Sequence, residues 1–241
     1  MARPLATAFD TPEAKRRYVR RLFATIADRY DFITRFLSFG RDRQWKVRLV
    51  DRAGVQAGWR GLDLACGTGD IAFEVARRGA TVLGLDVTHR MIALARAKAV
   101  AGDRTTWVVG DMLALPVPDA DRHLVTTGYG LRNVPDLPGA LAEIHRVLKP
   151  GGVLCSLDFD RPEAAWLRAI YLGYLTAVGS ALGWVLHRDP DTYRYIPASI
   201  RRYPGSRGVA ALMRAAGFTD VEQLRVLGGL MAIHVARKGT G

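Results

Sequence analysis

Only two cysteines, Cys66 and Cys155, occur in 241 residues, and neither belongs to a CxxC or Cys/His pattern. A disulfide framework and a zinc site are therefore not expected, and a reducing cytoplasm fits. Acids are scarce: 23 Asp and Glu face 35 Lys and Arg, a net charge of +12 that favours an anionic partner such as nucleic acid, an acidic membrane surface or an anionic substrate. The opening "MARPLATAFDTPEAKRRYVRRLF" has no apolar stretch of the signal-peptide kind, and Asp10 and Glu13 do not suit an acid-poor transit peptide. The protein is thus expected to stay where it is made. No repeat or low-complexity linker divides the chain, and 49% hydrophobic content suffices for one full core, so a single domain over 1–241 is expected. One run alone, Ala164 to Leu186, approaches membrane-crossing length, and Arg168, Gly173, Gly179 and Gly183 interrupt it. The expectation is a mostly buried long helix or helical hairpin, with an interfacial or lipid-binding element as the alternative.

What is present has a regular order. Residues 12 to 36 carry apolar positions at Tyr18, Leu22, Ile26, Tyr30 and Ile33, spaced by threes and fours, with Lys15, Arg16, Arg17, Arg20 and Arg21 between them. This predicts a basic amphipathic helix and then a second one. From Arg60 onward, short apolar runs ("GLDLAC", "TVLGLD", "TTWVVGD", "RHLVTTGY", "GVLCSLDF") alternate with helical stretches at 70–78, 88–100 and 137–148. Such alternation predicts βαβ units and a parallel sheet covered on both faces. A helix from Ser206 to Ala216, ended by Gly217, and two strand-like runs as a hairpin complete the chain. The expected layout is a helical cap (1–52), a nucleotide-binding core (60–160), a helical insertion (161–200) and a C-terminal helix with hairpin (201–241).

The first strand runs into "LDLACGTGDIAFEVA", which sets Gly67, Gly69 and Ala72 in a G-x-G-x-x-A turn, and Asp86 closes the second strand 19 residues after Gly67. Glycines let the backbone approach a ligand, and a carboxylate at that spacing accepts ribose hydroxyls. Alone, this pattern also fits NAD enzymes. Asp63 inside the first strand distinguishes the two, because it can orient the glycine loop or neutralise a ligand's ammonium group. Asp111 closes the third strand, where it can take an adenine amine while Met112 packs on the ring. "RVLKPGG" turns from helix into the fifth strand.

Asp63-x-Ala65-x-Gly67-x-Gly69, Asp86, Asp111 and "LKPGG" together resemble the class I S-adenosylmethionine-dependent methyltransferases. The resemblance implies an α/β, Rossmann-like, doubly wound sheet of seven strands, mostly parallel with the last antiparallel. It also implies S-adenosylmethionine held by Asp63, Gly67, Thr68, Gly69, Asp86, Val87, Asp111, Met112 and Gly128, S-adenosylhomocysteine as the product, and no metal. "YDFITRFLSFGRDRQWK", "GYGLRNVPD", "RVLKPGGVLCSLDF" and "YRYIPASIRRYP" further resemble the ubiquinone and menaquinone C-methyltransferase family. The chain departs from that family's usual residues at Ile33 and Thr34 (Met-Asn), Asp42 (often His) and Asp158 (commonly Glu).

On that resemblance the expected reaction is methyl transfer to a ring carbon of a polyprenyl hydroquinone, with demethylmenaquinol first. A 2-polyprenyl-6-methoxy-benzoquinol or another small aromatic acceptor is the alternative. A ring carbon ortho to a phenolate attacks the sulfonium methyl, so the protein must stabilise an oxyanion. Arg132 in "GYGLRN" is expected to do this, or to pair with an acid of the cap such as Asp31. Asp158 and Tyr30 are the other expected catalytic residues, with a water relayed by Arg132 or Asp158 as base and Asp70 a candidate helix cap. His145 and His234 are expected to be ordinary surface or core residues.

The basic first helix and the apolar 164–186 run suggest peripheral contact with an anionic membrane, and the same run suits a homodimer. An RNA methyltransferase is disfavoured because no Asn/Asp-Pro-Pro-aromatic cluster follows the fourth strand and no aromatic–basic platform is present, so no nucleic acid partner is expected. A non-catalytic S-adenosylmethionine-binding protein of the same fold is the remaining rival.

Overall fold

The computed structural model describes residues 5–38 and 40–240; Met1–Pro4 of the opening stretch, Phe39 of the "SFG" motif and Gly241 lie outside the described residues. Three helices come first: α1 (Pro12–Ile26), α2 (Tyr30–Leu37) and α3 (Asp42–Ala53). Thr11 caps α1 by accepting from Ala14 N at 3.1 Å, and Pro12 follows in the first turn, where its missing N–H is no loss. Gly54 ends α3 in the left-handed region at φ 62°.

The core then alternates as expected: β1 (Arg60–Leu64), α4 (Asp70–Arg77), β2 (Thr81–Asp86), α5 (His89–Lys98), β3 (Thr105–Val109), β4 (Arg122–Gly128), α6 (Leu137–Val147) and β5 (Leu148–Phe159). The remainder is α7 (Ala165–His187), α8 (Asp191–Arg202), α9 (Gly205–Ala215), β6 (Phe218–Val226) and β7 (Met231–Lys238). The sheet order is β3-β2-β1-β4-β5-β7-β6, with β7 antiparallel to both neighbours and the others parallel. The order reverses between β1 and β4, and ligands of such sheets bind at that point, outside the carboxyl ends of the strands.

Successive residues along a strand serve opposite faces. Leu62, Leu64, Val125 and Leu154 join the core under α6 and α9, whereas Leu124, Val153 and Cys155 join the one under α3 and α4. Asp63 is therefore a carboxylate, 1% exposed, within a strand that is buried from Gly61 to Leu64.

The apolar run forms one uninterrupted helix, α7, long and apolar enough by length and composition to cross a membrane. The expectation of a mostly buried element is corrected here: only 22% of its most apolar window is buried, and Trp166, Ile170, Trp184 and Val185 are exposed. Its glycines do not break it. Instead two of them admit α8 and the residues leading into it, since a Cβ at Gly183 would lie 2.4 Å from Asp189 O and one at Gly179 would lie 3.2 Å from Tyr193 O.

Candidate active site

The glycine turn is built from the carboxylates around it. Asp63 accepts from Ala72 N at 3.1 Å and from the Thr126 hydroxyl at 2.8 Å, tying the start of α4 to β1 and β4. It therefore orients the loop, as one of its two expected roles required. Burial pushes its pKa up to about 7, against the pull of these two donors and of Lys46. Asp86 accepts from Gly67 N at 2.9 Å and Thr88 N at 2.8 Å, and burial raises it too. Gly69 is held at φ 90°, and a Cβ there would lie 2.4 Å from the Trp107 ring. Asp70 does not cap α4: Gly69 holds the cap position without a side-chain bond, and Asp70 is the first helical residue, ion-paired to Lys46 and Lys98.

Three cavities adjoin beside this turn, with Tyr30 and Tyr129 common to their walls. The first, about 80 Å³, is lined by Gly67, Asp86, Val87, Asp111, Met112 and Gly128. Six of the nine residues expected to hold the nucleotide thus share one wall. Asp63 and Thr68 line a smaller cavity of about 20 Å³ next to it, together with Lys46 and Asp70, while Gly69 shapes the turn without lining either. Asp111 is engaged already: Oδ1 accepts from Leu113 N at 3.0 Å, and Oδ2 lies 2.9 Å from the Arg16 guanidinium of α1.

The largest cavity, about 340 Å³, lies under α1, α2, α7 and α8 and is walled by aromatic and aliphatic side chains. Among its described lining residues Arg132 alone carries a charge. Arg132 is 5% exposed and lies in a single 3-10 turn, Leu131–Asn133, directly after β4. Its guanidinium donates to Asn133 Oδ1 at 2.8 Å and Ser199 Oγ at 3.1 Å, and stacks 5.1 Å from the centre of the Phe159 ring. Nε is 3.3 Å from Asp158 Oδ1 yet has no aligned hydrogen-bond acceptor.

The suggested pairing of Arg132 with Asp31 is not what the structure shows. Asp31 accepts from the Thr68 hydroxyl at 2.6 Å and pairs with Lys98, whereas Arg132 pairs with Asp158. Asp158 is 4% exposed, is not among the described residues lining these three cavities, and accepts from the backbone N–H groups of Arg132 and Phe159. Burial pushes it upward while Arg132 draws it back. Its place is behind Arg132, holding it. Lys15 of α1 also fixes this turn, donating to the carbonyls of Arg132 and Val134, and burial brings its pKa down to about 8. His145 packs edge-on against Phe218, and His234 is buried against Ser156 and Ser206, so neither meets the cavities.

Tyr30 and Tyr129 line all three cavities. Tyr30 was expected from the sequence; burial raises its hydroxyl to about 12. Tyr129 was not. It stands between Gly128 and Gly130 at φ 60°, a conformation that costs a bulky residue about 1–3 kcal/mol. Its N–H donates to Leu157 O, its carbonyl accepts from Asn133, and its hydroxyl donates to Asp42 Oδ1 at 2.7 Å. The one sequence signal was a tyrosine set between two glycines where a third glycine would have been unstrained.

Residues 11–238 match the ubiE/COQ5 methyltransferase family. The chain is 39% identical over 240 residues to a ubiquinone/menaquinone biosynthesis C-methyltransferase of Rubrivivax gelatinosus, covering 98% of this chain and 94% of that one. It is 42% identical over 217 residues to a demethylmenaquinone methyltransferase of Thermus thermophilus, covering 89% and 98%. Among solved structures, a Thermotoga maritima SAM-dependent methyltransferase, a possible histamine N-methyltransferase, shares the fold with a TM-score of 0.65 at 20% identity, over 91% of this chain and 99% of that one. The glycine turn with the carboxylates of Asp63, Asp86 and Asp111 around it, the seven-stranded sheet and these likenesses agree: the chain belongs to the ubiE/COQ5 methyltransferase family.

Proposed function

We propose that this methyltransferase transfers a methyl group to a ring carbon of a polyprenyl hydroquinone, with demethylmenaquinol as the acceptor. The observation that carries the reading is a large apolar cavity whose single charged residue, among the described lining residues, is an arginine, adjoining the nucleotide cavity across two shared tyrosines. Such a space suits a flat aromatic ring with one developing negative charge and a hydrocarbon tail. The names of the Thermus and Rubrivivax relatives support the same acceptor class.

The residues around the glycine turn fit S-adenosylmethionine. On this reading Asp86 takes the ribose, Asp111 and Met112 the adenine once Arg16 yields, and Asp63, Thr68 and Asp70 the methionyl end. When bound, that group supplies an electrophilic methyl on a sulfonium. The chain's own part is alignment and charge. A phenol of pKa about 10 is mostly protonated at neutral pH, so Arg132 stabilises the phenolate in a site shielded from water. Asp158, the Asn133 carbonyl and Ser199 hold the guanidinium, and Tyr30 contacts the ring. Holding reactants aligned supplies roughly 7–11 kcal/mol of the barrier.

The tail lies toward α7. Ile170 both lines the cavity and is 63% exposed, so the apolar interior continues onto a surface that carries Trp166 and Trp184, and Phe32 and Phe36 of α2 are exposed as well. Arg29 donates to Leu186 O at the end of α7, which puts a cation beside that face. This supports peripheral contact with the anionic inner face of the cell membrane by a protein working from the cytoplasm.

Incubation with methyl-labelled S-adenosylmethionine and a short-chain demethylmenaquinol tests the reading, with a methoxybenzoquinol and RNA as competing acceptors. Label on the naphthoquinol ring carbon is the expected result. Label on RNA, or on nothing, overturns it.

A further inference from the structure

The reaction releases one proton, and neither Asp158 nor a histidine faces the acceptor cavity. A different acid does reach it through one intermediary. Tyr129, which lines the cavity, donates its hydroxyl hydrogen to Asp42, and Asp42 Oδ2 lies 2.5 Å from Lys46 Nζ. Lys46 continues to Asp70 at 2.9 Å, on the methionyl side of the glycine turn. Asp42 and Lys46 are 8% and 7% exposed on one face of α3, and the Asp42 N–H is held by Ser38 Oγ. A chain of alternating charge, buried at Asp42 and Lys46 and half-exposed at Asp70, thus runs behind the point where the three cavities meet. A buried ion pair of this kind is weak evidence of stabilisation, and an apolar pair would fill the space as well.

From this arrangement we propose that Tyr129 is the proton-accepting catalytic residue and that Asp42, held by Lys46, acts through it. The proposal rests on the acceptor being a hydroquinone. The acceptor's O–H bond breaks as its hydrogen passes to the Tyr129 oxygen, while the Tyr129 hydrogen passes to Asp42 Oδ1 and makes a carboxylic acid. The electron pair left on the acceptor oxygen drives the ring carbon onto the methyl group, and the pair of the broken S–C bond stays on sulfur. The ring then sheds its C–H proton to water as its oxygen takes the hydrogen back from Tyr129, which recovers its own from Asp42. One proton leaves in all.

The hydroxyl of Tyr129 is suited to relaying rather than ionising, because burial first and Asp42 second hold it far above the ordinary tyrosine value. The charged and titratable groups bearing on it are Asp42 and Lys46 of α3, Tyr30 of α2 and Asp158 of β5. Burial works against the Lys46 ammonium, but Asp42 and Asp70 outweigh it and keep it charged. The relay therefore has a fixed counter-ion.

Tyr129→Phe and Asp42→Asn are the test, each beside wild type, with turnover followed from pH 6.5 to 10. General acid–base assistance contributes about 10²–10⁴-fold, so a loss of at least about 10²-fold at pH 7 is expected in both, with S-adenosylmethionine affinity by calorimetry within threefold of wild type. The deficit should shrink as pH rises toward the phenol's own pKa of about 10, where the acceptor ionises unaided. A purely architectural role predicts a deficit that does not change with pH. A second readout needs no turnover: with S-adenosylhomocysteine bound, wild type should develop the near-ultraviolet absorption of a bound phenolate at pH 7, and both variants should not. Variants within threefold of wild-type turnover across the range, or with a pH-independent loss and an unchanged phenolate band, overturn the proposal. Absence of quinol methylation by wild type would instead overturn the function on which it rests.

Discussion

The Arg132–Asp158 pair separates stability from chemistry, because its members respond differently to losing each other. Asp158→Asn leaves a guanidinium, 5% exposed, that cannot shed its proton. Breaking a buried pair in this way costs about 3–5 kcal/mol. The lower end applies, since the Asn oxygen still accepts from Arg132 N and the guanidinium keeps Asn133, Ser199 and the Phe159 ring. Arg132→Met leaves a carboxyl already pushed upward by burial that also retains two backbone donors, so it can take up a proton. Neither Asn133 nor Ser199 is stranded, because Asn133 Oδ1 still accepts from Tyr195 and Ser199 still donates to Ile196 O. That variant should lose about 1–2 kcal/mol, the ordinary range for a lost hydrogen-bonded contact. At about 2–4 °C per kcal/mol for a chain of this size, the expected falls in Tm are about 6–12 °C for Asp158→Asn and about 2–8 °C for Arg132→Met.

Turnover should follow the opposite order. Arg132→Met should lose about 10²–10³-fold, the effect of removing one oxyanion donor, with S-adenosylmethionine affinity unchanged. The double variant should melt within about 2 °C of Arg132→Met, since removing the second partner of a broken pair costs little more, and should stay as inactive. Scanning calorimetry and single-turnover label transfer read the two quantities. Additive losses of Tm in the double variant, or Arg132→Met melting lower than Asp158→Asn, would refute the reasoning.

Two further outcomes follow from features away from that pair. The protein should bind vesicles of anionic lipid with an affinity that falls with added salt, each basic residue near the surface contributing about 1 kcal/mol, and Ile170→Glu should weaken binding; sedimentation with anionic and neutral vesicles checks this, and equal partition to both sinks the electrostatic part. Asp63 has a folded pKa of about 7 against an ordinary 3.8, so folding takes up a proton between those values, and the stability this confers is present below pH 4 and lost as pH rises through 7. Asp63→Asn can keep both contacts, accepting from Ala72 N and donating to the Thr126 hydroxyl. Its unfolding free energy should therefore fall less steeply than that of wild type from pH 5 to 7, by up to about 1.4 kcal/mol per pH unit, and parallel curves would contradict the assignment.

The strand and helix order was legible because period, glycine turns and apolar runs are local signals. Six of the nine residues expected at the nucleotide site come together around one cavity because they lie at or just beyond strand ends in a fixed topology. Three features were not. Asp158 stands at a strand end like Asp86, and the chain order does not reveal that one faces a cavity and the other sits behind an arginine. Tyr129 and Asp42 are 87 residues apart, and a bulky residue at positive φ runs against the rule that marks such positions by glycine. The exposure of α7 was hidden because an apolar run reads alike whether it faces a core or remains uncovered.

The N-terminal helices are pinned across the nucleotide cavity by polar contacts: Arg16 to Asp111, Asp28 to Arg90, and Asp31 to Thr68 and Lys98. Phe23 and Tyr30 of these same helices wall both the nucleotide cavity and the acceptor cavity. On the proposed function, a displacement of α1 and α2 that opened one cavity would open the other with it, so the two substrates would not enter as independent equilibria.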